Sequence, residues 1–355
     1  MGIGSESVSA IRGARGHTGQ RSWVRSIPTD ADVTCPTLHM RACPALVQPQ
    51  RFPARLPVGA FINQRYLVEG YLSSGGFSDV YRSFDIETGQ RVALKVLKFI
   101  GGPDLQRNAE ARFALDAASA ARIEHPNVVR ILACHQSMEL HLPDSDASAH
   151  YRRLFFAMEL LEGHTLAAEL AHRGRLAPGR AARLVLGCLE GLAVGHLLGI
   201  VHKDIKPSNL FLVHPDTERE RLTLLDFGVA RVADSDQAIL TSPGDLYCTP
   251  RYGAPEYLKN GEVQPAVDVY QMALVLAEML TGEPVVQGQG IFECTLAHLQ
   301  GVEVPTALHA TAFEQPLRRA LDRDPQRRYP DAGAFLTALR WRTAAIRCGE
   351  VDASG

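Results

Sequence analysis

Between Val267 and Leu280 the sequence is apolar around nearly the whole circumference of a helix, and Gly282 closes it. A helix with no wet face has to lie at the centre of a helical assembly, so the rest of the chain must supply its neighbours. The segment from Arg180 to Leu198 is one of them, since Val185, Leu189, Leu192, Ala193 and His196 fall at spacings of three and four. The apolar run Val269 to Leu280 contains Gln271 and Glu278 and is too short to span a bilayer, so no membrane anchor is expected.

The half of the chain before Gly163 has a different pattern. Short runs with strand character occur at Tyr66 to Tyr71, Val80 to Ser83 and Val92 to Leu97, with a turn at Glu87-Thr88-Gly89-Gln90. An Ala-rich helix is expected from about Leu105 to Ile123, ending at His125-Pro126-Asn127 because proline disfavours helix in the preceding residue. Val128 to Cys134 and Leu154 to Leu160 read as two more strands, with Pro143 to Ala149 as a polar loop between them. The expectation is an α+β fold in two lobes: a five-stranded antiparallel sheet with one helix, then a mainly helical lobe. A hinge falls near Glu159 to Gly163, and the cleft beside it is the default ligand site.

Composition sets the outer limits. Of 355 residues, 46% are apolar and 21% charged, as in folded globular proteins, and the formal net charge of -2 gives nucleic acid no electrostatic attraction. The seven cysteines are scattered with no CxxC pair, which suits reduced thiols in a cytoplasm rather than disulfides or zinc. Residues 1–57 hold seven Arg against three acids, a balance of +4, without helical or strand period. They read as a disordered basic extension to a folded domain at 58–343, its lobes about 58–161 and 162–343, with a short tail at 344–355.

Several residues carry chemistry. In Val92-Ala93-Leu94-Lys95 the strand period places Ala93 and Lys95 on one face, where a small side chain admits a flat base and an ammonium reaches phosphates. Upstream, Ser73-Ser74-Gly75-Gly76-Phe77-Ser78 joins two strands with residues small enough for backbone amides to approach a triphosphate. Downstream, His202-Lys203-Asp204-Ile205-Lys206-Pro207-Ser208-Asn209 packs an acid, a base and an amide together, and Asp226-Phe227-Gly228 follows 17 residues after Asn209. Asn209 and Asp226 are two oxygen ligands for divalent ions held against phosphate.

In that order these motifs, with Ala254-Pro255-Glu256 after them, resemble the eukaryotic-like serine/threonine protein kinases from about Tyr66 to Leu339. The resemblance implies a bilobal kinase fold, ATP and Mg2+ as cofactors, and protein substrates with Ser or Thr acceptors. It gives Asp204 the substrate hydroxyl, Lys95 the α- and β-phosphates, Lys206 the γ-phosphate, and Asn209 and Asp226 the magnesium. The base of ATP would lie between Val80 and Ala93 above and Phe211 below. Backbone groups of Glu159 and Leu161 would pair its edge, with Met158 behind. Asp268 would brace the catalytic loop and Glu256 would pair with Arg328.

Five positions depart from the family pattern: Ser73 and Ser78 stand for glycines, Lys203 for an arginine, Cys248 for a glycine, and Asp116 for the helix Glu that pairs with Lys95. Asp116 is the candidate partner, because Glu110 lies six residues away, about 240° round the helix. Thr241 and Ser242 are the expected autophosphorylation sites. Two other readings stay open on the sequence: a nucleotide-binding pseudokinase scaffold, and a small-molecule phosphotransferase, against which Ala254-Pro255-Glu256 speaks.

Overall fold

The computed structural model describes residues 52–99, 102–145, 148–227, 250–288 and 290–347, and at positions 103, 112, 116 and 343–347 the backbone alone. Residues 1–51, Gly228, Thr241, Ser242, Cys248, Thr249 and the residues after 347 lie outside this description, as does the side chain of Asp116.

The first lobe is one curled antiparallel sheet. Its strands are β1 (Phe61–Ile62), β2 (Tyr66–Ser74), β3 (Ser78–Asp85), β4 (Gln90–Leu97), β5 (Ile131–His135), β6 (Met138–His141), β7 (Ser148–Tyr151) and β8 (Phe155–Glu159), with helix α1 (Pro103–Ala120) inserted between β4 and β5. The order across the sheet is β5-β8-β4-β3-β2-β1-β6-β7. The period of two sorts its side chains. Val92, Leu94 and Val96 enter one core with Ile62, Tyr66, Val68, Met138, Leu140 and Phe155, while Leu97 and Phe156 face the other way and receive Phe113 and Ala117 of α1.

Eight strands are therefore found where the sequence suggested five. The five expected strands form the β5-β8-β4-β3-β2 part, and β1, β6 and β7 extend the β2 edge. These three were hidden because β1 has two residues and β6 and β7 four each, too few for a periodic signal. The run Val128 to Cys134 is also not one strand. Val128 makes a parallel bridge to Leu224 and the Val129 N–H donates to the Leu224 carbonyl at 3.0 Å, so the ladder with β8 starts only at Ile131.

The lobe also begins earlier than residue 58. The Phe52 ring meets Tyr151 edge-on at 5.0 Å, Arg153 stacks over Phe52 at 4.3 Å, and Leu56 is buried with its N–H on the Tyr81 hydroxyl at 3.2 Å. Residues 52–57 are thus part of the folded unit.

The chain enters the second lobe through β9 (Gly163–Thr165) and α2 (Leu166–Arg173), followed by α3 (Pro178–Leu197), β10 (Leu210–Val213) and β11 (Arg221–Leu224). Gly163 has φ +147°, and a Cβ there would lie 1.9 Å from the Leu212 carbonyl oxygen, so only glycine permits β9 to pair with β10 at the hinge. The helices α4 (Pro255–Asn260), α5 (Pro265–Thr281), α6 (Ile291–Gln300), α7 (Glu314–Ala320) and α8 (Ala332–Arg347) complete it. As its sequence demanded, α5 is central: every residue from Ala266 to Leu280 is buried, and left-handed Gly282 ends it.

The two lobes meet closely along α3. A Cβ on Gly187 would lie 2.7 Å from Nδ2 of Asn127, which is itself fixed by donating to the Leu222 carbonyl at 2.7 Å. Alanine at 187 would gain about 1 kcal/mol of helix propensity but would have to displace that buried amide, a cost of about 1–3 kcal/mol. Gly187→Ala is therefore expected to lower stability by about 1 kcal/mol in urea denaturation, against the helical preference of alanine.

Candidate active site

The catalytic loop leaves α3 and runs beneath β10 in irregular conformation, with Lys203 at φ +69°. A left-handed non-glycine residue costs about 1–2 kcal/mol, so the loop needs outside support. Asp268, fully buried on α5, provides it. Its Oδ2 accepts the His202 N–H and its Oδ1 the Lys203 N–H, both at 2.8 Å, and His196 Nε2 lies 2.8 Å from Oδ2. Burial alone would raise the pKa of Asp268, but the bond from His196 and the neighbouring charges hold it below the usual carboxylate range.

So supported, the loop brings three of the expected residues together. Asp204 Oδ2 lies 2.7 Å from Lys206 Nζ and accepts from Asn209 Nδ2 at 2.9 Å. Asn209 Nδ2 also donates to the Asp204 carbonyl at 2.9 Å, which turns the Asn209 Oδ1 the other way. His202 connects this loop to the next motif. Its Nδ1 accepts the Asp204 N–H at 3.4 Å, and its Nε2 donates to the Leu225 carbonyl at 2.9 Å.

Asp226 follows directly, at φ +52°. Its Oδ1 is 2.5 Å from Lys95 Nζ, so the first lobe's cation and the second lobe's acid meet across the cleft. Its surroundings oppose ionisation by desolvation, but the Lys95 ammonium outweighs this and holds Asp226 below the ordinary range. Phe227 is buried under His202, ring centroids 4.9 Å apart. Glu110 is no partner for Lys95, because its carboxylate takes Gln106 at 3.1 Å and Arg152 at 3.2 Å.

The expected nucleotide residues line one face of the sheet. Val80 is directly opposite Lys95, and Ala93 is opposite Met158, so these four side chains share a face. Phe211 lies below on β10. The Leu161 N–H has no partner among the described residues, as a purine-pairing group at the hinge requires, whereas the Glu159 N–H is occupied by the Arg130 carbonyl at 3.0 Å. Over the phosphate position the turn is closed by the Gly75 N–H on the Ser78 carbonyl at 2.8 Å. Lys98 ties it down, with Nζ on Ser74 Oγ and on the Gly75 carbonyl at 2.7 Å. Ser73 pairs with Val80 at the end of β2, and the Phe77 carbonyl accepts the Lys98 N–H at 2.8 Å; Gly76 lies at the tip between them.

Beyond the loop, three side chains fasten the segment from Arg251 into the first turn of α4. Arg328 grips Glu256 through two bonds of 2.8 Å, as the sequence implied. The other two were not anticipated. The Tyr252 hydroxyl donates to Glu278 Oε2 at 2.6 Å. His298 donates through Nε2 to the Arg251 carbonyl at 3.0 Å and accepts from the Tyr270 hydroxyl at 2.8 Å; burial pushes its pKa down to about 4 and keeps it neutral.

The profile of the protein kinase domain family matches residues 66–330, three quarters of the chain. The chain belongs to the protein kinase family. The serine/threonine-protein kinase PknL of Mycobacterium tuberculosis is 33% identical over 288 residues, covering 79% of this chain and 67% of PknL. Pkn3 of Myxococcus xanthus is 30% identical over 291 residues, covering 80% of this chain and 51% of Pkn3. This chain thus spans about two thirds of the one relative and about half of the other. The crystal structure of the M. tuberculosis PknI kinase domain, a double mutant, superposes with a TM-score of 0.61 at 23% identity, over 81% of this chain and 99% of that one, which shows the shared fold.

The kinase is of the serine/threonine class, as are these relatives. Among its described residues no helix is long and apolar enough to cross a membrane. The Lys95–Asp226 contact gives the kinase a measurable signature. In Lys95→Met the carboxyl loses the cation that does most to hold it down, so the Asp226 titration observed by 13C NMR should move upward. An unchanged midpoint would mean that the ammonium does not hold the carboxylate.

Proposed function

We propose that the kinase transfers the γ-phosphoryl group of ATP to Ser and Thr hydroxyls of protein substrates with Asp204 as the base. What carries this reading is the geometry at Asp204, where one carboxylate oxygen is held by both Lys206 and Asn209. With that oxygen fixed, the carboxylate is oriented to hold the substrate hydroxyl in line with the γ-phosphorus. The hydroxyl oxygen bonds to phosphorus, the bond to the bridging oxygen of ADP breaks, and the hydroxyl proton passes to Asp204. Lys206, beside Asp204, places positive charge at the γ-phosphate, and Lys95 does so at the α- and β-phosphates.

Asn209 Oδ1 and the ionised Asp226 carboxylate are hard oxygen donors on neighbouring segments, joined by the Leu225 N–H on the Asn209 carbonyl at 2.9 Å, and they fit magnesium, which commonly takes one or two protein oxygens and completes its shell with phosphate and water. When bound, the ion neutralises charge on the phosphate oxygens. The seven scattered cysteines, with no CxxC pair among them, support a reducing cytoplasm as the compartment. Thr241 and Ser242 are the proposed autophosphorylation sites.

Two experiments test these roles. Asp204→Asn should abolish transfer while sparing ATP binding, whereas Asp226→Asn should abolish transfer and weaken magnesium-dependent ATP binding as well. Transfer by Asp204→Asn at the wild-type rate would remove Asp204 as the base.

The second concerns Asp116. Phe113 and Ala117 of α1 pack on Phe156, which lies directly opposite Lys95 across β4 and β8, and position 116 belongs to that helix face. Its carboxylate is about 1.5 Å shorter in reach than that of Glu, and the active arrangement is then only partly populated. Asp116→Glu is expected to raise turnover severalfold with little change in ATP affinity; a fall would show that the gap is already matched to Asp.

A further inference from the structure

Gln271 lies on α5 one turn after Asp268 and is 1% exposed. A buried amide is costly unless both its halves are bonded, and here the catalytic loop bonds both. Gln271 Nε2 donates to the Lys203 carbonyl at 2.9 Å, and Gln271 Oε1 accepts the Ile205 N–H at 3.1 Å. A carbonyl needs a donor and an N–H needs an acceptor, so the orientation of the amide is unambiguous.

We propose that Gln271 is a positioning residue for Asp204, an inference that rests on the reading of Asp204 as the base. The Lys203 carbonyl belongs to the peptide unit before the Asp204 Cα and the Ile205 N–H to the unit after it. Fixing both planes fixes φ and ψ of Asp204, and with them the direction in which its side chain leaves the backbone. Asp268 fixes the two preceding units through the N–H groups of His202 and Lys203. Residues 268 and 271 share a helix face, so one turn of α5 orients four successive peptide planes. Among them is Lys203, held at φ +69°. The contacts to the base and to the α- and β-phosphates rest instead on the first lobe, the hinge and β10, and the magnesium on Asn209 and Asp226, none of which Gln271 bonds.

This separation shapes the test. Gln271→Met keeps the volume and removes both bonds. A misplacement of the base by about 1 Å costs about 100-fold, so the single-turnover rate of phosphoryl transfer should fall about ten- to a hundredfold. The Kd for Mg-ATP should stay within about twofold. Gln271→Glu, which keeps the acceptor and the shape, should fall between wild type and Gln271→Met. Met279→Ala serves as the control for loosening α5, because its site is buried on the same helix about 12 Å further along; it should lower the melting temperature and leave the transfer rate near wild type. The proposal is overturned if Gln271→Met transfers phosphate within twofold of wild type. It is equally overturned if its rate and ATP affinity fall together, or if both Gln271 variants lose the fold. Activity in Asp204→Asn at the wild-type rate would instead remove the base assignment itself, whereas an inactive Asp204→Asn beside a fully active Gln271→Met would remove the positioning role alone.

Discussion

The Asp268 carboxylate is the point on which the second lobe depends. It has no exposure to solvent, and it accepts the N–H groups of His202 and Lys203 and faces His196. A buried carboxylate with fewer partners would take up a proton or disrupt the packing around it. His196 continues the chain of bonds, because its other nitrogen accepts the Ala332 N–H at 3.1 Å. The end of α3, the catalytic loop, the start of α8 and the first turn of α5 are thereby joined at a single anion. The apolar character of α5 then has a double purpose: it fills the core, and it surrounds this anion with material that strengthens each of its hydrogen bonds.

Above this anchor the chemistry is divided between the lobes. The sheet contributes Lys95, and the second lobe contributes Asp204, Lys206, Asn209 and Asp226. The meeting of Lys95 and Asp226 at 2.5 Å shows that the two sets converge. Non-glycine residues at positive φ occur at Lys203 and Asp226, beside the groups that perform the reaction. At Lys203 the compensation comes from the buried side chains of Asp268 and Gln271 on α5, as expected when a loop is held in a geometry that the local chain would not choose.

Much of this was legible in the sequence, for identifiable reasons. The strands β2, β3 and β4 announce themselves as short runs set off by turns, β8 as an apolar run, and α5 by its lack of a polar face. The catalytic groups are close in sequence, so their order alone reveals them. The short strands β1, β6 and β7 were not legible, because each is too brief for a periodic signal and is fixed only by its partners. Tyr252 with Glu278, and His298 with Arg251, were missed for a related reason. They join residues 26 and 47 positions apart, and nothing local in either residue's neighbourhood records the pairing. The split of the run from Val128 to Cys134 belongs here as well, since an apolar run looks the same whether one sheet or two receive it.

That split has a mechanical consequence. Val128 and Val129 are fastened to Leu224 at the end of β11, two residues before Asp226, and only two residues later the same chain enters the sheet that carries Lys95. A tether so short acts as a pivot. It ties the β5 edge of the first lobe's sheet to β11, so any tilt of that sheet has to turn about residues 128–131 and cannot lift the edge away there.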